Sequence, residues 1–180
     1  MPMMVQASTD EAPGLLELIE YRRANDLDRW DEWWEGVYRI VTGPSPEHGT
    51  LMTHLSVLLL PKAKHAGLHV ASGGLNVGVD KFDARVPDIG VFRPGTERTS
   101  PAFLATAELV VEILSPGEKA GEKLPFYAAY GVREYLEIDL RTKAVRLLVN
   151  RAGSWEPVDA SSVLDLTVTE TETVVADALA

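Results

Sequence analysis

Residues 109–139 restrict the possible folds more than any other stretch of the chain. The run LVVEIL is of the kind that fills a buried strand, apart from one carboxylate, Glu112. A Gly- and Lys-containing stretch, SPGEKAGEK, leads into LPFYAAYG, a helical segment that Gly131 ends, and REYLEIDL resumes a strand pattern. Strand, helix and strand in succession make a βαβ unit, expected to be parallel with a right-handed crossover. Helix formation is expected from about Glu122, because Pro125 lacks an N–H and is tolerated in a first turn. Glu112 is the anomaly. An ionised carboxylate is almost never buried unpaired, because removing the charge from water is very costly.

The other elements are arranged around this unit. Residues 13–25 read as a short helix. DLDRWDEWWEGVYRIV holds three of the four tryptophans and ends in a strand-like alternation at 37–41. After the turn cluster TGPSPEHG, Leu51, Leu55, Leu58 and Leu59 recur at helical spacing, which predicts a core helix over 48–66 closed by Gly67. LHVASGGLNVGVD reads as a strand interrupted by small residues, and ARVPDIGVF as its neighbour across a turn at 80–83. GTERTSP reads as loop, AVRLLVN pairs with the preceding strand around residues 141–143, and the tail adds a further strand or two. Strands joined by short turns are expected to be antiparallel. The fold class is therefore α/β (α+β): a mixed β-sheet with an αβββαβ core flanked by helices. One domain over residues 1–180 is expected, with 1–12 as a flexible leader.

Composition narrows the function. Hydrophobic residues at 46% and charged residues at 24% suit a soluble globular domain. The absence of cysteine excludes disulfides and thiolate metal sites and fits a cytoplasmic location. The N-terminus has no signal-peptide pattern, and apolar runs such as residues 57–60 are too short to span a bilayer, so no membrane partner is expected. Seventeen Lys and Arg stand against 27 Asp and Glu, a net charge of −10. A protein that blankets phosphates carries a basic face, so polyanion binding here must be local or metal-assisted.

Asp88 sits in RVPDIGVF much as Glu112 sits in its strand, with Pro87 before it and Ile89, Val91 and Phe92 after it. Proline in a strand marks an edge or a bulge, where a side chain can be re-aimed. Two acids on neighbouring strands in apolar surroundings can share a cation, and a hard divalent ion takes carboxylates, a carbonyl and waters. The plainer reading pairs Glu112 with a lysine or arginine and makes Asp88 the cap of a turn after Pro87. Taken together, with a basic helix following, the two acids favour the metal site.

VPDIGVF, VVEILSP and EKLPFYAAYGVREYLEID, in that order, resemble the Uma2 family of the PD-(D/E)XK restriction-endonuclease-like superfamily. The similarity extends upstream through WEGVYRIVTGPSPEHG and covers about residues 33–140. The resemblance implies a restriction-endonuclease-like sheet and a metal-dependent endonuclease acting on nucleic acid, most naturally DNA. It implies Asp88 and Glu112 as metal ligands with the main-chain carbonyl of Ile113, and Mg²⁺ as the ion, for which Mn²⁺ can substitute. Leu114 stands at the triplet's lysine position, so the resemblance implies a lysine from the following helix, Lys123. The connection is shorter than the family's usual one and lacks an aspartate often found there, which makes Lys119 a rival. Leu136 stands where the family commonly has tryptophan, a difference expected to act on packing.

Weaker candidates are Glu35, as an extra acid or an exposed strand end, and His48, as a substrate contact or a helix-capping residue. Trp30, Trp33 and Trp34 can stack on bases, cover an apolar face or form a dimer contact. Tyr127 and Tyr130 read as core, and His54, His65 and His69 as structural or exposed. Ser115 lacks a Gly-x-Ser-x-Gly context, so no serine hydrolase is indicated. A homodimer suits an enzyme that cuts both strands of a duplex. The alternatives are a non-catalytic oligomerisation or nucleic-acid-binding module with a degenerate site, and a hydrolase of small phosphoesters.

Overall fold

A computed structural model of the chain describes residues 5–8, 14–41, 43–80, 83–100 and 103–180. The chain begins with β1 (Val5–Ser8), α1 (Leu15–Ala24), β2 (Glu32–Trp34), β3 (Val37–Ile40) and α2 (Pro46–His65). It continues through β4 (His69–Ser72), β5 (Asn76–Asp80), β6 (Asp83–Arg85), β7 (Ile89–Phe92), β8 (Arg98–Ser100) and β9 (Phe103–Leu104). Then come β10 (Leu109–Leu114), α3 (Leu124–Ala129), β11 (Glu134–Asp139), β12 (Val145–Arg151), β13 (Ser154–Pro157) and α4 (Val168–Ala178).

The βαβ unit forms as its pattern dictates. β10 and β11 run parallel with Glu112 level with Glu137, and α3 lies in the crossover between them. β4 pairs antiparallel with β7, and β7 with β10. Together α2, β4, β7, β10, α3 and β11 make the expected αβββαβ core. β12 and β13 complete a six-stranded sheet in the order β13-β12-β11-β10-β7-β4.

The central strands of this sheet, β10 and β11, are buried on both faces. Leu109, Val111 and Ile113 of β10, with Leu136 and Ile138 of β11, join Leu51, Leu55, Leu59 and Ala63 of α2 in one core. Leu51, Leu55 and Leu59 are fully buried, as their spacing predicts, whereas Leu58 is only partly buried; burying a leucine contributes about 1.5–3 kcal/mol. α2 starts cleanly because the Ser45 hydroxyl accepts the His48 N–H at 3.3 Å and Pro46 opens the first turn. On the opposite face, Val110 and Tyr135 pack with Phe126 and Tyr127 of α3. The pleat therefore puts Glu112, an even-numbered neighbour of Val110, on the α3 side.

The expectation of one sheet is corrected. A second, seven-stranded sheet runs β1-β3-β2-β6-β5-β9-β8. Two stretches, one read as a strand interrupted by small residues and the other as its single neighbour, each divide between the sheets. Residues 68–80 break at Gly73 and Gly74, whose φ values of 64° and 98° lie in the left-handed region, leaving β4 in one sheet and β5 in the other. Residues 84–92 break at Val86-Pro87-Asp88 between β6 and β7, where Pro87 has no N–H to give to a ladder. Asp88 thus stands at the corner where the chain passes from one sheet to the other.

Other differences are smaller. Val5–Ser8, within the expected leader, pairs antiparallel with β3, while residues 1–4 and 9–12 lie outside the described residues. So does the middle of the expected turn at 80–83. The GTERTSP loop contains the short strand β8. The tail holds one strand, β13, and then the helix α4. Thr167 and Glu170 form a reciprocal capping box at the start of α4, a T-x-x-E signature readable in the sequence.

Gly78 in β5 has a φ of 152°, and a Cβ there would lie 2.5 Å from the Asp83 carbonyl oxygen and 2.9 Å from the Ala84 Cα. Both obstacles are backbone, so Gly78→Ala must displace the β5–β6 pairing that leads into the Asp88 corner. We expect a loss of about 1–3 kcal/mol, measured as a lower urea midpoint. A midpoint equal to that of the parent would show that the two strands can separate freely.

Candidate active site

The α3-facing side of the parallel pair carries two carboxylates, Glu112 and Glu137, directly opposite each other. Glu137 fixes the loop before α3. Its Oε2 accepts the Gly121 N–H at 2.6 Å and the Tyr135 hydroxyl at 3.1 Å, and its Oε1 accepts from Arg146 at 2.7 Å. Gly121 adopts φ 70°, and a Cβ there would meet the Leu124 side chain at 2.9 Å. These constraints deliver Lys123 as the residue capping α3, which begins at Leu124.

Lys123 Nζ donates to Glu112 Oε2 at 3.0 Å and to Glu32 Oε1 at 2.9 Å. The other oxygen of Glu112 accepts the Tyr127 hydroxyl at 2.5 Å. The opening anomaly has its first answer here, since Glu112 is buried beside an ammonium and a phenol. The plainer lysine pairing therefore exists, and its lysine is the one the family resemblance implies. Tyr127 is fully buried core, as read, yet it also serves the site. Tyr130 stacks on Phe126 at 4.3 Å between ring centroids.

Glu32 is a cleft acid that the sequence reading missed. It lies in β2 of the second sheet, buried, with Oε1 accepting the Val86 N–H at 2.7 Å and Oε2 the Trp34 indole N–H at 2.8 Å. Of the two readings of Glu35, an extra acid or an exposed strand end, the structure has the exposed one: a turn residue with φ 50° between β2 and β3. Its nearby Asp31 binds Arg22, Tyr38 and the Val41 N–H. Three acids occur within five residues: Asp31 just before β2, Glu32 in it and Glu35 in the turn after it.

Asp88 reaches the same place from the sheet corner. Its Oδ2 accepts the Ile113 N–H at 2.7 Å, and its Oδ1 lies 2.8 Å from His48 Nε2. Leu114 C=O accepts from Leu140 on the β11 side. Strand alternation therefore turns the N–H and C=O of Ile113 toward the β7 edge, beyond the last ladder pair at Val111 and Ile89. The Ile113 carbonyl faces the same edge as Asp88. His48 is buried in the first turn of α2, with Nδ1 3.5 Å from the Ser115 hydroxyl. Lys119 lies exposed in the loop at the mouth of the site.

A cleft of about 640 Å³ is lined by Asp88, Glu112, Lys123, His48 and Glu32, with Trp30, Trp34 and Arg39 on its walls. Trp34 is sandwiched between Arg39 at 3.3 Å and Arg85 at 4.1 Å, and Trp33 packs on Tyr38 at 4.9 Å. Trp33 therefore serves internal packing, and Trp30 and Trp34 share the cleft wall. His54, His65 and His69 are exposed.

The charges are unbalanced. Burial pushes the Glu112 carboxyl up to about 8, with Asp88 and Glu32 adding to the shift and Lys123 opposing it. Burial works to lower the Lys123 ammonium, but Glu112, Glu32 and Asp88 outweigh it and raise the group above its ordinary value. His48 behaves alike: burial lowers it, and the hydrogen bond and charge of Asp88 carry it above the usual imidazole value. Among the described residues no three His, Asp or Glu side chains form a metal-holding group. The pair Asp88 and Glu112 with a carbonyl is a hard-oxygen set that a divalent ion completes with water. An excess of carboxylate over ammonium fits such an ion.

The family described as "Putative restriction endonuclease", Uma2, matches residues 16–177. The chain belongs to the Uma2 family. The match extends beyond the 33–140 span of the recognisable motifs. A crystal structure described as "a putative nuclease belonging to DUF820", from Anabaena variabilis, shares the fold with a TM-score of 0.64 at 19% identity. The similarity covers 81% of this chain and 90% of that one. No curated protein matches the chain. No described helix of this Uma2 chain is long and apolar enough to cross a membrane.

The raised Glu112 carboxyl has a consequence for stability. Its folded value of about 8 exceeds the ordinary 4.5, so between these values the folded state holds more protons than the unfolded one, and stability falls as pH rises. Glu112→Gln removes that dependence. We expect the variant to gain stability relative to the parent as pH rises through this window, by up to a few kcal/mol in urea unfolding. Parallel pH profiles for the two proteins would contradict the assignment.

Proposed function

We propose that this Uma2 chain is a metal-dependent endonuclease that hydrolyses nucleic-acid phosphodiester bonds, with DNA as substrate. Residues 1–180 would act as one domain, as a homodimer, in the cytoplasm. The observation that carries this reading is the meeting of Asp88, Glu112 and Lys123 in one cleft, from a sheet corner, a strand and a helix cap. Asp88, Glu112 and the Ile113 carbonyl would hold Mg²⁺ or Mn²⁺, and the family description points to the same chemistry.

When bound, the ion supplies Lewis-acid polarisation of the phosphate and acidifies a water molecule. The residues supply the rest. Tyr127 holds one Glu112 oxygen in place at 2.5 Å. The Lys123 ammonium, next to the other oxygen, orients the attacking water or neutralises charge developing on the phosphate. Hydrolysis consumes one water and leaves a phosphomonoester and a hydroxyl. Among the described residues Arg39, Lys119, Lys123 and, when protonated, His48 are the cations lining the cleft, too few to hold a polyanion strongly on a chain of net charge −10. Substrate binding is therefore expected to depend on the divalent ion.

One observation favours a second reading. Lys123 already bridges Glu112 and Glu32, so an ion must share Glu112 with it. A non-catalytic nucleic-acid-binding module would retain such a bridge permanently.

The deciding experiment is a cleavage assay with Mg²⁺ or Mn²⁺ on duplex, single-stranded and branched DNA. Asp88→Asn and Glu112→Gln should abolish cleavage, and Lys123→Ala should lower it by roughly 10²–10³-fold. Lys119→Ala should stay near the parent. Nucleic-acid binding without cleavage in every protein, parent included, would select the module.

A further inference from the structure

Asp88 differs from Glu32 and Glu112, the strand-borne acids of the cleft. It is a single residue at a sheet corner, outside both ladders, so no strand register holds its side chain. Two donors do. The Ile113 N–H takes Oδ2 at 2.7 Å, and His48 Nε2 takes Oδ1 at 2.8 Å. A carboxylate oxygen has two lone-pair sites, so both oxygens keep capacity after these bonds. The Ile113 bond fixes one oxygen along the edge of β10. Without the second bond the carboxylate can rotate about its own axis.

His48 is well built for the second bond. It lies in the first turn of α2, where Ser45 caps its own backbone N–H at 3.3 Å, and its side chain is 8% exposed. Leu51 and Leu55, fully buried, anchor that end of α2 in the core. The remaining ring nitrogen lies 3.5 Å from the Ser115 hydroxyl, just past the end of the Glu112 strand. The imidazole therefore spans the corner, the core helix and the strand end. This role differs from helix capping, which Ser45 performs, and from substrate contact.

We infer that His48 is a positioning residue, which holds Asp88 in the orientation that lets it share a divalent ion with Glu112. The inference rests on the metal reading above. Hydrogen-bond partners behind a metal ligand are worth roughly 10–100-fold in metal affinity. The donor atom matters here. Glutamine places an amide nitrogen near the Nε2 position, whereas asparagine ends near Nδ1 and falls short of Asp88.

The test is a titration of the full chain with Mn²⁺ alone, reading free Mn²⁺ by electron paramagnetic resonance. Parent, His48→Gln, His48→Asn, His48→Ala and Asp88→Ala are compared, each with a thermal unfolding curve. We expect His48→Gln to bind Mn²⁺ close to the parent. His48→Asn and His48→Ala should bind about 10–100-fold more weakly. A general structural role for the imidazole would make the two amides alike. Equal affinity in parent and all three His48 variants would overturn the inference while leaving the metal site standing. So would a folded His48→Gln protein as weak as His48→Ala. If the alanine variant fails to fold, the glutamine and asparagine pair decides. A parent that binds no Mn²⁺, or Asp88→Ala binding as tightly as the parent, would instead overturn the metal reading and this inference with it.

Discussion

The two sheets are joined at the site by one half-buried ammonium. Lys123 donates to Glu112 of the six-stranded sheet and to Glu32 of the seven-stranded one. Both carboxylates are buried, and each accepts further bonds: Tyr127 on Glu112, and Val86 and Trp34 on Glu32. Desolvation opposes such a bridge, and good geometry with all remaining polar groups satisfied is what makes it tolerable. Breaking one side of a buried pair typically costs about 3–5 kcal/mol, because the partner is left uncompensated. The bridge is thus as much a fastening between layers as a chemical feature.

The fastening depends on backbone that regular ladders cannot supply. Pro87 ends the β6 ladder and lets Asp88 turn away, and Gly121 takes a left-handed conformation that brings Lys123 round to the strand end. Each irregular segment is then tied by a carboxylate on a regular strand. Glu137 accepts the Gly121 N–H from its place opposite Glu112, and Glu32 accepts the Val86 N–H beside Pro87. Acids that look like a surplus on a chain of net charge −10 are partly spent in holding loops to strands. That use also leaves the cleft with more negative charge than Lys123 and His48 offset.

The core of the fold was legible because its signals are local. An apolar run, a short helix and a second apolar run can be read without knowing what lies above or below them. The division into two sheets was not legible, since a Gly-Gly step or a Val-Pro-Asp step inside a strand pattern signals a break but not its direction. α4 was missed although Thr167 and Glu170 carry its start, because its valines and threonines also suit strands. At the site, Asp88, Glu112 and Lys123 were legible through the family's ordered motifs. Glu32 was not. It opens a three-residue strand, whereas Glu35 falls in the turn just past it, and in so short a strand alternation has no room to show. Tyr127 was read as core and is core, and no pattern distinguishes a buried phenol with a carboxylate partner from one without.

Leu114 and Glu32 belong to one structural solution. Positions 112 and 114 of β10 share a sheet face, so a lysine at 114 would approach the cleft from the strand itself, with its backbone held by the ladder. Leu114 lines the cleft in that place. The ammonium arrives instead from the cap of α3, on a loop with no ladder of its own, and a flexible side chain from a loop pays more rotamer entropy to stay put. A second carboxylate compensates by giving Nζ two fixed acceptors, 2.9 and 3.0 Å away, from different sheets. Moving the lysine from strand to helix cap therefore requires an acid on the facing sheet. In this chain that requirement explains why an otherwise costly glutamate is buried at position 32.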